Sequence, residues 1–169
     1  MTEERTIDAS APEQGGMILI VEDNAGLSEL IRITLSEAGY VCRPALDGRR
    51  ALACLESEPP ELVILDYTLP DMKAEEIIAA LGAPSGDGSI PFVVITGQGD
   101  ERVAVEMMKA GARDYLIKDT HLLERLPAVV GRVFQETAQG RRIKAVERAY
   151  HQSEERYRTF FENAIEGIF

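Results

Sequence analysis

Four times along this chain a short, unbroken apolar run stops abruptly on a polar residue. Met17-Ile18-Leu19-Ile20-Val21 ends at Glu22-Asp23-Asn24, Leu62-Val63-Ile64-Leu65 at Asp66, Phe92-Val93-Val94-Ile95 at Thr96, and Tyr115-Leu116-Ile117 at Lys118. Runs this short and this continuous are the pattern of strands buried on both faces. A weaker strand, Val41 to Ala45, follows the break at Gly39-Tyr40. Between the runs, apolar residues recur at helical spacing: Leu27 to Leu35 before Gly39, Ala51 to Leu55 before Pro59-Pro60, Ile77 to Leu81 before Gly82, and Val103 to Met108 before Gly111. Strands alternating with helices imply a parallel sheet, because each parallel connection needs a crossover and right-handed crossovers lay helices on both faces. The expectation is a doubly wound α/β domain with its site at the carboxyl ends of the strands, where Glu22, Asp23, Asp66, Thr96 and Lys118 are delivered.

The charges at that edge point to a cation. Three carboxylates within about 4 to 6 Å of one another repel by several kcal/mol at an effective dielectric near 20. A hard divalent ion relieves this, and Mg²⁺ suits a site of few carboxylates that also takes water and phosphate oxygens. No Cys or His accompanies the acids, which argues against a transition metal. Three carboxylates, one Mg²⁺ and the Lys118 ammonium sum to zero charge, so a phosphoryl group can approach. Asp66 is then the candidate nucleophile, able to form an acyl phosphate. Thr96 offers a hydroxyl to a phosphoryl oxygen, and Gly97 leaves the adjacent backbone open.

Composition narrows the partners. A formal charge of −11 disfavours nonspecific attraction to nucleic acid or anionic lipid. Cys42 and Cys54 lie in apolar surroundings without zinc-ligand spacing and read as buried, reduced thiols. Residues 1–16, rich in Glu, Ala, Pro and Gly, read as a disordered leader without a secretory signal or membrane anchor, which points to the cytoplasm.

Beyond the last strand, Leu122, Leu126, Val130 and Val133 mark a helix from about Thr120 to Glu136, with Gln139-Gly140 as an expected interruption. Ile143, Val146, Tyr150, Ser153, Tyr157 and Phe160 then alternate at spacings of three and four. Two readings fit that stripe: a solvated helix packed on its own domain, or a coiled-coil linker in a dimer.

Four segments together resemble the receiver domains of bacterial two-component response regulators. They are Ile18 to Asn24, Leu65-Asp66-Tyr67-Thr68-Leu69-Pro70-Asp71-Met72, Val94-Ile95-Thr96-Gly97, and Gly111-Ala112-Arg113-Asp114-Tyr115-Leu116-Ile117-Lys118. The resemblance covers residues 17–136 and implies a flavodoxin-like, five-stranded parallel sheet of order 2-1-3-4-5. It implies that Glu22 and Asp23 hold Mg²⁺, that Asp66 is phosphoacceptor and metal ligand, and that Thr68 gives the metal a backbone carbonyl. Lys118 matches the phosphoryl-binding lysine, and Thr96 and Tyr115 match the family's switch pair. Thr68 and Gln98 flank the path of the attacking water and are expected to tune the phosphate lifetime. The phosphodonor implied is a phosphohistidine on a sensor histidine kinase or phosphotransfer protein.

Plainer roles stand beside these: Asp23 as a helix N-terminal residue, Thr96 as a cap, Tyr115 as a core aromatic. Two positions depart from the family pattern. Asp119 follows Lys118 where a cis proline is usual, so a trans peptide is expected and the signalling face is open to question. Lys73-Ala74 stands where a glycine is common in the loop after Asp66.

Ser153 to Phe169 resembles the opening of a PAS sensor domain, which gives a linker helix over 137–158, a PAS start over 159–169, and the expectation of a longer protein. Two other functions compete with a phospho-switch controlling an attached output domain. A phosphohydrolase of the haloacid-dehalogenase type would need a second Asp two residues after the nucleophile, and Thr68 stands there. A phosphorylation-insensitive dimerisation module is prompted by Asp119 and the heptad-like tail.

Overall fold

The computed structural model describes residues 15–82, 88–97 and 101–166. Five strands alternate with five helices: β1 (Gly15–Val21), α1 (Ala25–Glu37), β2 (Tyr40–Ala45), α2 (Gly48–Ser57), β3 (Leu62–Asp66), α3 (Ala74–Ala80), β4 (Phe92–Thr96), α4 (Glu101–Lys109), β5 (Asp114–Ile117) and α5 (Leu122–Glu166). All strand pairs are parallel, in the order β2-β1-β3-β4-β5. This is the doubly wound sheet that the alternating pattern predicts.

Every residue of β3 and β4 is buried, which is why those strands carry unbroken apolar runs. Successive side chains project to opposite faces. Leu19, Val21, Val63, Leu65, Phe92 and Val94 pack with Ala51 and Leu55 of α2, Ala74 and Ile77 of α3, and Met107 of α4. The alternate residues Ile18, Ile20, Ile64, Val93 and Ile95 are also fully buried, as are Ile31 and Leu35 of α1 and Leu126 and Val130 of α5, the makings of a second apolar layer. Each such Leu or Ile side chain removed from water contributes roughly 1.5–3 kcal/mol.

Chain reversals follow local chemistry. Gly39 and Gly111 adopt φ of 92° and 100° just beyond α1 and α4, where a side chain would clash with its own backbone. Asn24 and Asp47 cap α1 and α2 by accepting from the Leu27 and Arg50 amides.

Three features differ from expectation. Strand β1 begins at Gly15, two residues before the apolar run, because Gly15 pairs with Tyr40 across a register shift. Cys42 and Cys54 are free thiols but only half-buried; burial still raises the Cys42 thiol above its ordinary pKa. Helix α5 runs through Gln139-Gly140 without a break. A lone glycine costs a helix only about 1 kcal/mol, and the residues around it favour helix.

The chain divides into two compact units, one reaching Val130 and the other starting at Gly131. In the second unit, α5 continues to Glu166 and every residue from 141 to 159 is exposed. Ile143, Val146, Tyr150 and Tyr157 are 60–70% exposed. Among the described residues no helix is long and apolar enough to cross a membrane.

Candidate functional site

Strand register places the polar residues in one row. Val21 lies opposite Leu65, Asp66 opposite Ile95, and Thr96 opposite Ile117. The runs of β1 and β3 therefore end level, so Glu22 and Asp66 emerge side by side, with Thr96 one residue and Lys118 two residues farther along at the same carboxyl edge. Backbone bonds pin that edge: the Glu22 amide donates to Ala45 O at 3.1 Å, Tyr67 to Ile95 O at 2.9 Å, and Lys118 to Thr96 O at 2.7 Å.

The acids converge. Carboxylate oxygens of Glu22, Asp23 and Asp66 lie within 4.8 Å of one another. Glu22 is 0% and Asp66 2% exposed, whereas Asp23 faces solvent. The Lys118 ammonium bridges the two buried acids, 2.6 Å from Asp66 Oδ2 and 2.7 Å from Glu22 Oε2. It donates a hydrogen bond to Asp66. Its approach to Glu22 is a charge contact off the hydrogen-bonding direction, leaving Glu22 Oε2 buried without a donor. The other Glu22 oxygen accepts from the Asn24 amide at 3.1 Å.

The protonation equilibria follow from this packing. Burial is the main cause that raises the Glu22 carboxyl above its ordinary pKa, with the Asp66 charge adding to it and Lys118 opposing. For Lys118 burial pulls downward, but its hydrogen bond to Asp66 and its close charge contacts with Asp66 and Glu22 together outweigh it and hold the ammonium above its ordinary value.

These residues fit a hard divalent cation. The donors are all oxygens, one buried carboxylate oxygen lacks a hydrogen-bond donor, and three carboxylates against one ammonium leave two negative charges. Asp23, Asp66, Thr68, Thr96, Gly97 and Lys118 line an open cleft, with Tyr67 and Val103 forming its more apolar walls. Thr96 is 2% exposed and Thr68 is exposed. Tyr115 is half-buried on β5 and packs against the same core cluster as Tyr67 and Val103. Gln98 lies outside the described residues.

Two supports were not foreseen. The Asp71 carboxylate accepts from the Gly48 and Arg49 amides at 2.9 and 3.0 Å, tying the loop after β3 to the start of α2. Those bonds, the Gly48 one foremost, hold its carboxyl below the ordinary range. Beside it the Met72 side chain lies so close to Gly48 that a Cβ there would collide with it. The same loop is pinned by a Thr68 bridge to Lys73 and by the Thr68 amide donating to Asp66 Oδ1 at 3.0 Å. The only sequence hint was an acid a few residues beyond Asp66.

The second support is at Asp119. No cis peptide occurs among the described residues, so the expected trans bond is present. Asp119 Oδ1 instead accepts from the His121 amide at 2.9 Å and from Arg125 Nη2 at 2.8 Å. Arg125 also reaches the Ile117 and His121 carbonyls. A polar clasp thus fastens the turn behind Lys118 where the family pattern has a proline.

Comparison with known proteins agrees with this geometry. Residues 18–130 match the family described as the response regulator receiver domain. The phosphate regulon transcriptional regulatory protein PhoB of Pseudomonas aeruginosa is 34% identical over 121 residues, 70% of this chain and 53% of PhoB. The DNA-binding response regulator MtrA of Mycobacterium tuberculosis is 36% identical over 101 residues, 60% of this chain and 43% of MtrA. The chain thus spans about half the length of these relatives. Among solved structures, NtrX from Brucella abortus superposes with a TM-score of 0.70 at 27% identity, over 77% of this chain and 29% of NtrX. The receiver domain of a Luxo repressor protein from Vibrio parahaemolyticus does so at 0.62 and 27%, over 73% and 96%.

Proposed function

This chain belongs to the response regulator receiver domain family, and from that premise we propose that it is a Mg²⁺-dependent aspartyl-phosphate switch with Asp66 as phosphoacceptor. The observation that carries the reading is Asp66 itself: buried, flanked by two further carboxylates, and held by the Lys118 ammonium at 2.6 Å at the open edge of the sheet.

Glu22, Asp23, Asp66 and the Thr68 carbonyl would hold the Mg²⁺. When bound, the ion neutralises negative charge between the carboxylate and an incoming phosphoryl group. The remaining work belongs to the chain. An Asp66 carboxylate oxygen forms the new bond to phosphorus as the phosphorus–nitrogen bond of a partner's phosphohistidine breaks. The imidazole leaves with a proton from solvent. Lys118 loses part of its pairing with Asp66 as that oxygen is esterified, and its ammonium then meets a phosphoryl oxygen. The Thr96 hydroxyl supplies a further donor, and positioning of this kind is most of what phosphoryl transfer requires.

Tyr115, half-buried one residue after the start of β5, is the partner of Thr96 in the switch, and Thr68 and Gln98 set the lifetime of the phosphoryl group. The donor is a sensor histidine kinase or phosphotransfer protein in the cytoplasm. The receiver passes its state to an output segment through α5, whose exposed stripe makes a homodimer with a second copy. A PAS-like start over 159–169 rests on sequence resemblance.

Acetyl phosphate with Mg²⁺ should add one acid-stable, base-labile phosphoryl group, and chelation or Asp66→Asn should abolish it. Equal labelling of Asp66→Asn and the parent would overturn the assignment. The second reading, a phosphorylation-insensitive dimerisation module, is favoured by the trans turn at Asp119 and the exposed stripe. It predicts full labelling with no change in association or hydrogen exchange when beryllofluoride and Mg²⁺ are added.

A further inference from the structure

The stripe on α5 carries more than a capacity to associate. Ile143, Tyr150 and Tyr157 fall in the first position of successive heptads, and Val146, Ser153 and Phe160 in the fourth. The residues flanking that seam are not random in charge. Arg142 precedes the first seam position, and Glu147 follows Val146 in the position that faces it across a parallel pair. Farther along, Glu154 meets Ala149 and Arg156 meets Phe161 in the same scheme, so no like charges oppose one another. Phe161 is 62% exposed and widens the apolar seam.

Reversing one helix changes the result. The equivalent flanking positions then face each other, setting Arg142 toward Arg156 and Glu147 toward Glu154, two repulsive combinations. Within one helix Arg142 and Glu147 are five residues apart and do not face one another.

We propose that residues 142–161 form a parallel, in-register, two-stranded coiled coil with a second copy of this chain, in which Arg142 pairs with the partner's Glu147. The inference rests on the homodimer reading of α5 and adds its orientation and register. Three heptads with tyrosines in the seam make a modest interface. The association is correspondingly weak, and the two symmetric ion pairs carry much of its specificity.

Sedimentation equilibrium of the whole chain at low ionic strength, without phosphodonor or divalent ion, tests this. Arg142→Glu and Glu147→Arg should each weaken dimerisation roughly tenfold, since two attractive contacts become two repulsive ones. The double exchange R142E/E147R should bring the affinity back to about the parent value, because the pairs are restored with their signs reversed. In a parallel register Val146 meets the partner's Val146, so Val146→Cys should form a covalent dimer on mild oxidation beyond any background from Cys42 and Cys54.

A monomeric parent at hundreds of micromolar, a double exchange no tighter than the single ones, or no cross-link through position 146 would each overturn the proposal. Association is read here without phosphorylation. Failure would therefore leave the phosphoacceptor assignment standing, while loss of labelling at Asp66 would leave the coiled coil untouched.

Discussion

Replacing Lys118 by methionine isolates the electrostatic logic of the site. The substitution keeps most of the side-chain volume and removes the ammonium that lies 2.6 and 2.7 Å from two buried carboxylates. Oxygens of Glu22 and Asp66 within 4.8 Å then repel by at least about 3.5 kcal/mol at an effective dielectric near 20. Stripping one partner from a buried ion pair typically costs about 3–5 kcal/mol. The Lys118 side chain is 19% exposed, so water screens part of this, and the expected loss is about 3 kcal/mol at neutral pH in EDTA.

Urea unfolding followed by circular dichroism reads that loss directly as a shifted midpoint at unchanged slope. Saturating Mg²⁺ should narrow the gap by returning positive charge to the cluster. Acidification should narrow it as well. The raised Glu22 carboxyl binds its proton more readily folded than unfolded, so stability is regained as pH falls from neutral toward its ordinary value of 4.5. A Lys118→Met midpoint equal to the parent's in EDTA at neutral pH would refute the claim that these carboxylates are held together against repulsion.

Three further outcomes are expected. The Asp71 carboxyl should titrate below its ordinary value of 3.8 by NMR, so its contribution to stability is present above that value and is lost as pH falls through the depressed one; Asp71→Asn should flatten this acid limb and expose the Gly48 and Arg49 amides to exchange. Asp119→Pro should lower the urea midpoint and slow acetyl phosphate labelling several-fold, although it restores the family's dipeptide, because the Asp119 amide bond to Ile117 O and the bonds from His121 and Arg125 are lost. Gly140→Ala, at a position with no atom near the added Cβ, should strengthen the helix by about 0.8–1 kcal/mol, read as greater ellipticity at helical wavelengths.

The sheet was legible because parallel strands buried on both faces must carry near-continuous apolar runs, as in 62–65 and 92–95. The polar row was legible for the same reason: where such a run ends, the next side chain meets the carboxyl edge, and Asp66 and Lys118 stood out by interrupting apolar sequence. Strand β2 was fainter, since it lies at the sheet's edge and only Ala45 is fully buried. Contacts between side chains and distant amides left no trace in the pattern. Asp71 bonds α2 across 22 and 23 residues, and amides look alike in any sequence. The Asp119 position was flagged as a departure, but that Arg125 would supply the restraint depended on a helix placing the two together. Gly140 misled because a glycine that ends one helix is tolerated within another, and its neighbours decide which.

The chain contains no tryptophan and five tyrosines, and one of those, Tyr67, forms a wall of the acidic cleft next to Asp66. The cleft therefore carries its own optical reporter. Phenol emission here is not drowned by indole, and a divalent ion or phosphoryl group arriving beside Tyr67 changes the field at its ring. Occupancy of the pocket can be followed in unlabelled protein by ultraviolet fluorescence, with Tyr67→Phe as the blank.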